Sequence, residues 1–103
     1  MNQSINEIFV GKVCMFRTYS AGVHFGELAK KEDQSCLIKK CRRVWKWDGA
    51  CSLSQLAKEG SKKKEGCKIA VELEQQIIEQ VIEIIPMTKE AINNLYGIEA
   101  WKI

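Results

Sequence analysis

Arginine is scarce in this chain: Arg17, Arg42 and Arg43 stand against thirteen lysines in 103 residues. All three lie beside aromatic or turn segments. A guanidinium grips a phosphate through two parallel hydrogen bonds, which an ammonium cannot do. Neighbours on a strand point to opposite faces, so Arg42 and Arg43 do not enter one pocket unless a bulge intervenes. Simple alternation puts Arg43 on the face of Trp45 and Trp47, making it the better pocket candidate; the alternative is an ion pair with an acidic C-terminal strand. Trp45, Trp47 and Tyr19 are rings able to stack a purine, although tryptophans in so small a domain are commonly core. The run Arg17-Thr18-Tyr19-Ser20-Ala21-Gly22 offers hydroxyls, a ring and backbone N–H groups for an anion, or is simply a hairpin turn. A helix start at Ser52-Leu53-Ser54-Gln55 brings Ser54 and Gln55 beside unpaired N–H groups. His24 reads as a strand residue with a satisfied hydrogen bond, and a Cys–His nucleophilic pair is the sharper alternative.

The chemistry of these groups is that of holding a phosphate-bearing aromatic ligand. Catalytic signatures are absent: there is no P-loop, no G-x-G-x-x-G after a strand, no G-x-S-x-G and no H-E-x-x-H. Carboxylates are scattered singly except Glu32-Asp33, so no paired acid and base stands out. Five cysteines without a C-x-x-C, and one histidine, give no zinc spacing. The thiols are expected to be reduced, partly buried small hydrophobes. The expectation is a non-enzymatic binding protein without metal or cofactor.

Charge is uneven. From Leu28 to Lys68 twelve Lys/Arg face five Asp/Glu, a net of +7, whereas Ile69 to Ile103 carries −4. A basic middle and an acidic final third suit an anionic partner, self-association, or a solvated lysine-rich surface. No apolar run approaches the roughly 18–20 residues of a membrane span, and no signal peptide is visible, so the expected compartment is the cytosol.

Positioning these groups requires a sheet. Val10 to Arg17 is β-rich and is followed by the Thr18–Gly22 turn, a strand from Val23 to Leu28, a charged turn at Lys30–Gln34 and a long strand from Ser35 to Trp47. Ser52 and Gln55 form a capping box for a helix to about Glu59, with Gly60 at C′. Lys62-Lys63-Lys64 belongs to a solvated loop. Short strand character at Lys68–Leu73 precedes a single strand from Ile77 to Ile85, in which Ile78, Ile82 and Ile84 share a face. Thr88 caps a last helix, Lys89–Tyr96, ended by Gly97 in the αL role. This predicts one α+β domain over residues 1–103, β-dominated, with 1–9 loosely ordered. The sheet is expected to be antiparallel and bent, or a partly open barrel, of about five strands with two short helices.

Long strings of the chain resemble a known family: RTYSAGVHFGEL (Arg17–Leu28), CRRVWKWDGACSLSQLAKEG (Cys41–Gly60), GCK (Gly66–Lys68) and VIEIIPMTKEA (Val81–Ala91), with Ala100-Trp101-Lys102 beyond them. From Val10 onward they are similar to the Thoeris anti-defence protein 1 family of small phage and prophage proteins. The resemblance implies a sponge that binds cyclic ADP-ribose isomers and holds them uncleaved in the cytoplasm of the infected bacterial host. It further implies dimers assembling into hexamers, with pockets at subunit boundaries. Some members also bind cyclic di- or trinucleotides at a separate site. On this resemblance the ligand residues are Arg17, Tyr19, Ser20, Arg43 and Trp45, then Ala21, Gly22, His24, Arg42, Trp47, Ser54 and Gln55. Lys46 stands where the family commonly has a further ring. Two other readings remain: a small barrel binding single-stranded nucleic acid through its basic middle, and a phosphodiesterase.

Overall fold

A computed structural model describes residues 4–103 of the protein. A single helical turn, α1 (Ile5–Ile8), is capped by Ser4, whose Oγ accepts the Asn6 N–H at 3.2 Å. Residues 1–3 of the expected loose N-terminus lie outside the described residues. Six strands follow: β1 (Val13–Thr18), β2 (Val23–Glu32), β3 (Ser35–Lys46), β4 (Lys68–Ile69), β5 (Leu73–Ile78) and β6 (Val81–Pro86). Helix α2 (Leu53–Glu59) lies between β3 and β4, and α3 (Lys89–Tyr96) follows β6.

All pairings are antiparallel, in the order β4-β3-β2-β1-β6, with β5 on the other half of β3. The sheet is bent and unclosed, and the fold is α+β with strands dominant. The bend is built where register slips. β2 and β3 lose register between Phe25 and Glu27, opposite Lys40, whose φ is +52°. Gly26 makes that bend possible: a Cβ there would lie 2.5 Å from Ile38 Cγ2 and 2.7 Å from the Lys39 carbonyl. Downstream of the slip β3 pairs with β4, and upstream mainly with β5.

The same slip reverses the phase of β3. Cys36 and Ile38 share the first core with Cys41, so odd-numbered residues take over that face after the bulge. This core also holds Cys14, Phe16, Leu28, Ile78 and Val81, inside the curl of the sheet. Arg42 and Val44 therefore face the second core, where Met15, Phe25 and Ile69 meet Leu56 and Ala57 of α2 and Leu95 of α3. Full burial of a side chain such as Phe16, Phe25 or Leu95 contributes about 2–3 kcal/mol, so each face carries its own hydrophobic stabilisation.

Both caps form as the sequence dictates: Ser52 Oγ accepts the Gln55 N–H and Thr88 Oγ1 the Ala91 N–H, each at 3.1 Å. The Gln55 side chain reaches back one residue further than expected, to the Cys51 N–H at 2.7 Å. Three local expectations are corrected. The Ile77–Ile85 run is two strands, because Gln80 (φ +54°) kinks the chain between β5, which pairs with β3, and β6, which pairs with β1, while the period-2 pattern continues across the kink. Gly97 ends α3 with φ −79°, ψ −6°, not in the αL region. Strand β2 continues to Glu32, confining the charged turn to Asp33-Gln34.

Candidate functional site

The three arginines have three different fates. Arg17 Nε donates to Glu83 Oε1 at 3.0 Å across β1 and β6, with both side chains about half exposed. This is the ion pair to an acidic C-terminal strand, made by Arg17 and not by Arg43. Arg42 is 4% exposed and gives its guanidinium entirely to backbone carbonyls: Ala70 (2.9 Å), Leu95 (3.1 Å), Ile69 (3.4 Å) and Tyr96 (3.5 Å). Two of these, Leu95 and Tyr96, belong to the last turn of α3, where a cation is favoured. Arg42 is a clasp between β4 and α3, with four of its five N–H donors given to the fold's own carbonyls.

Arg43 is different. Its Cζ sits 3.8 Å from the centre of the Trp45 ring, and no carboxylate pairs with it among the described residues. Its Nε is buried without a hydrogen-bond partner among the described residues. The guanidinium is stacked, oriented and partly desolvated, yet not neutralised. That is the condition of an anion receptor. Gly22 (φ +79°) closes one side of it: a Cβ there would stand 3.2 Å from Arg43 Nη2.

His24 is the cross-strand partner of Arg43, and Phe16 flanks it on the other strand. It is 1% exposed and its Nδ1 has no hydrogen-bond partner among the described residues, so the satisfied hydrogen bond expected for it is not made at that nitrogen. Burial, and then the Arg43 charge, push the imidazole down to about 4, so it is neutral at physiological pH. The unfolded chain, near 6.5, takes up the proton first as pH falls. Stability from His24 is therefore complete above about pH 6.5 and is lost progressively down to about pH 4, on the order of 3 kcal/mol in all. Urea midpoints followed over that interval should fall for the native protein and change much less for His24→Leu. Equal slopes would show that other groups set the acid sensitivity.

The remaining expected site residues are dispersed. Tyr19 is 77% exposed at the turn tip, its N–H donating to the Gln80 carbonyl. Ser20 Oγ reaches Gln80 Oε1 at 3.4 Å. The Ala21 N–H is taken by Thr18 Oγ1 at 2.7 Å, and the Gly22 carbonyl accepts from both the Thr18 hydroxyl and N–H. The turn thus satisfies much of its own polar backbone, and Gly22 adjoins Arg43. Trp47 does not share the Arg43–Trp45 face: it packs on the second core with Nε1 donating to the Ala50 carbonyl. Strand β3 ends at Lys46, so alternation stops before Trp47. Ser54 and Gln55 belong to α2, which covers the opposite core; Gln55 is occupied by Cys51 and Glu59.

Two residues outside the expected set join the site. Trp101 meets Trp45 edge to face, with ring centres 6.2 Å apart at 64°, and Lys68 Nζ lies 5.3 Å from the Trp101 centre. Lys68 also pairs across strands with Lys46, whose only ion-pair partner among the described residues is Asp48 at 4.0 Å. The result is a row of cation, ring, ring and cation, from Arg43 through Trp45 and Trp101 to Lys68.

The family model for a domain of unknown function, DUF6948, matches residues 11–95. The chain belongs to the DUF6948 family. No curated protein and no solved structure matches it. The DUF6948 match includes Arg43, Trp45 and Lys68 and stops short of Trp101. Elsewhere in this DUF6948 chain, burial raises the thiols of Cys36, Cys14 (to about 11) and Cys41 (to about 12), which removes thiolate near neutral pH from the first core. Among the described residues no three His, Cys, Asp or Glu side chains are grouped to hold a metal ion, and no helix is long and apolar enough to cross a membrane.

Proposed function

We propose that this protein binds and sequesters a nucleotide signal of the cyclic ADP-ribose class without cleaving it, and so inhibits Thoeris-type antiviral defence in the cytoplasm of an infected host. The observation that carries this reading is the Arg43 guanidinium, stacked on an exposed indole and unpaired. A cyclic ADP-ribose isomer has a pyrophosphate for the guanidinium and an adenine for the rings. The resemblance to the Thoeris anti-defence protein 1 family supports the same ligand class, a homodimer assembling into a hexamer, and cyclic di- or trinucleotides as further ligands. Sequestration needs no general base. The imidazole beside Arg43, with its value near 4, is a weak one, in keeping with holding a ligand intact.

The direct test is to incubate the protein with cyclic ADP-ribose isomers and cyclic di- and trinucleotides, filter away free ligand, heat the protein and identify what is released. Intact nucleotide in near-stoichiometric amount is expected. Linearised product would make the protein a phosphodiesterase, and release of nothing would sink the reading. Exposed Trp45 and Trp101 beside Lys46 and Lys68 favour one second reading, a surface for single-stranded nucleic acid. That reading predicts steep salt dependence and affinity rising with oligonucleotide length, whereas a sponge prefers one small cyclic ligand.

A further inference from the structure

We infer that Trp101 is a base-stacking residue of the Arg43 site, so that the segment after α3 supplies the aromatic half of nucleotide recognition and β3 the phosphate half. This rests on the nucleotide reading above and names which groups of the ligand each part would take.

The segment is held where the inference needs it. The Trp101 N–H donates to the Ile69 carbonyl at 2.8 Å, and the Ala70 N–H donates to the Arg43 carbonyl at 2.9 Å. Ile69-Ala70 is thus flanked by β3 on one side and by residue 101 on the other, which fixes the Trp101 backbone relative to Arg43. The residue is 51% exposed, an unusual cost for an indole unless the ring has a partner to meet.

The division of labour follows from which ring faces are taken. Arg43 covers a face of Trp45 at 3.8 Å, so Trp45 serves chiefly to orient the guanidinium. Trp101 meets Trp45 in an inclined edge contact, and Lys68 Nζ sits over one of its faces at 5.3 Å, so the opposite face is the one left for a base. A base laid on that face would have Arg43 and Lys68, the two cations of the row, to meet its attached phosphates. The chemistry recognised is an aromatic base carrying phosphate. A bare anion would use only half the site.

The test compares the native protein with Trp101→Ala, Trp101→Phe and Arg43→Ala by calorimetric titration with cyclic ADP-ribose and cyclic diadenylate, with melting temperatures recorded alongside. Trp101→Ala is expected to weaken binding roughly five- to a hundredfold without lowering the melting temperature, and Trp101→Phe to keep most of the affinity. Native affinity in Trp101→Ala, with Arg43→Ala still defective, would overturn the inference and leave the nucleotide reading standing. Equal losses in Trp101→Ala and Trp101→Phe would also overturn it, because a retained ring should still stack. If the native protein binds neither nucleotide, the reading fails and the inference falls with it.

Discussion

Arg43→Ala is expected to lower nucleotide affinity by about 3 kcal/mol, roughly a hundredfold, while leaving the melting temperature within a degree or two of native. The size follows from what Arg43 lacks. A guanidinium already neutralised by a carboxylate would lose that partner when a phosphate arrived, and the exchange would gain little. Arg43 has no such partner, and its orientation is set beforehand by Trp45 and Gly22, so little ordering remains to be done on binding. Arg43→Lys should rescue poorly, because an ammonium neither stacks flat on the indole nor offers two parallel donors. The unchanged melting temperature matters equally, since no described hydrogen bond of the fold passes through the Arg43 side chain. Near-native capture by Arg43→Ala would remove it from the site.

Arg42→Met should do the reverse. It keeps the aliphatic stem but leaves the carbonyls of Ile69, Ala70, Leu95 and Tyr96 without their shared donor, in a region where the arginine is 4% exposed. Buried acceptors stripped of a charged donor cost about 3 kcal/mol, which in a domain of this size lowers the melting temperature on the order of 10–20 °C. Whatever protein stays folded below its lowered midpoint should still capture ligand through Arg43. Two adjacent arginines therefore predict opposite phenotypes, one in binding and one in stability. A melting temperature unaffected by Arg42→Met would refute the clasp.

Much of the fold was legible because it is locally encoded. Ser52 and Thr88 announce helices α2 and α3 through their caps, and the long β-branched and aromatic run from Ser35 places β3 to within a residue of its observed end. Local pattern fails where a kink keeps the period of its flanks. Ile78 and Ile82 lie on opposite sides of Gln80, yet keep the spacing of one strand, so the sequence period gives no sign of the kink or of the change of partner from β3 to β1. Trp47 fails for a related reason: i, i+2 spacing from Trp45 means a shared face only while the strand lasts.

The sequence by itself determined the α+β class, the two capped helices, the scarcity of arginine against lysine, and the opposition of Arg42 and Arg43 across one strand. These follow from side-chain chemistry and backbone period, which act over a few residues. Tertiary structure alone decided which arginine is free. That choice depends on α3 ending over Arg42, on Glu83 of β6 standing beside Arg17, and on no carboxylate reaching Arg43. It also brought Trp101 and Lys68 to Trp45, from positions separated by dozens of residues, through a sheet whose bend at Gly26 and Lys40 sets the face of everything after it. Contacts between distant segments are fixed by how two hydrophobic faces close, and no local period records them.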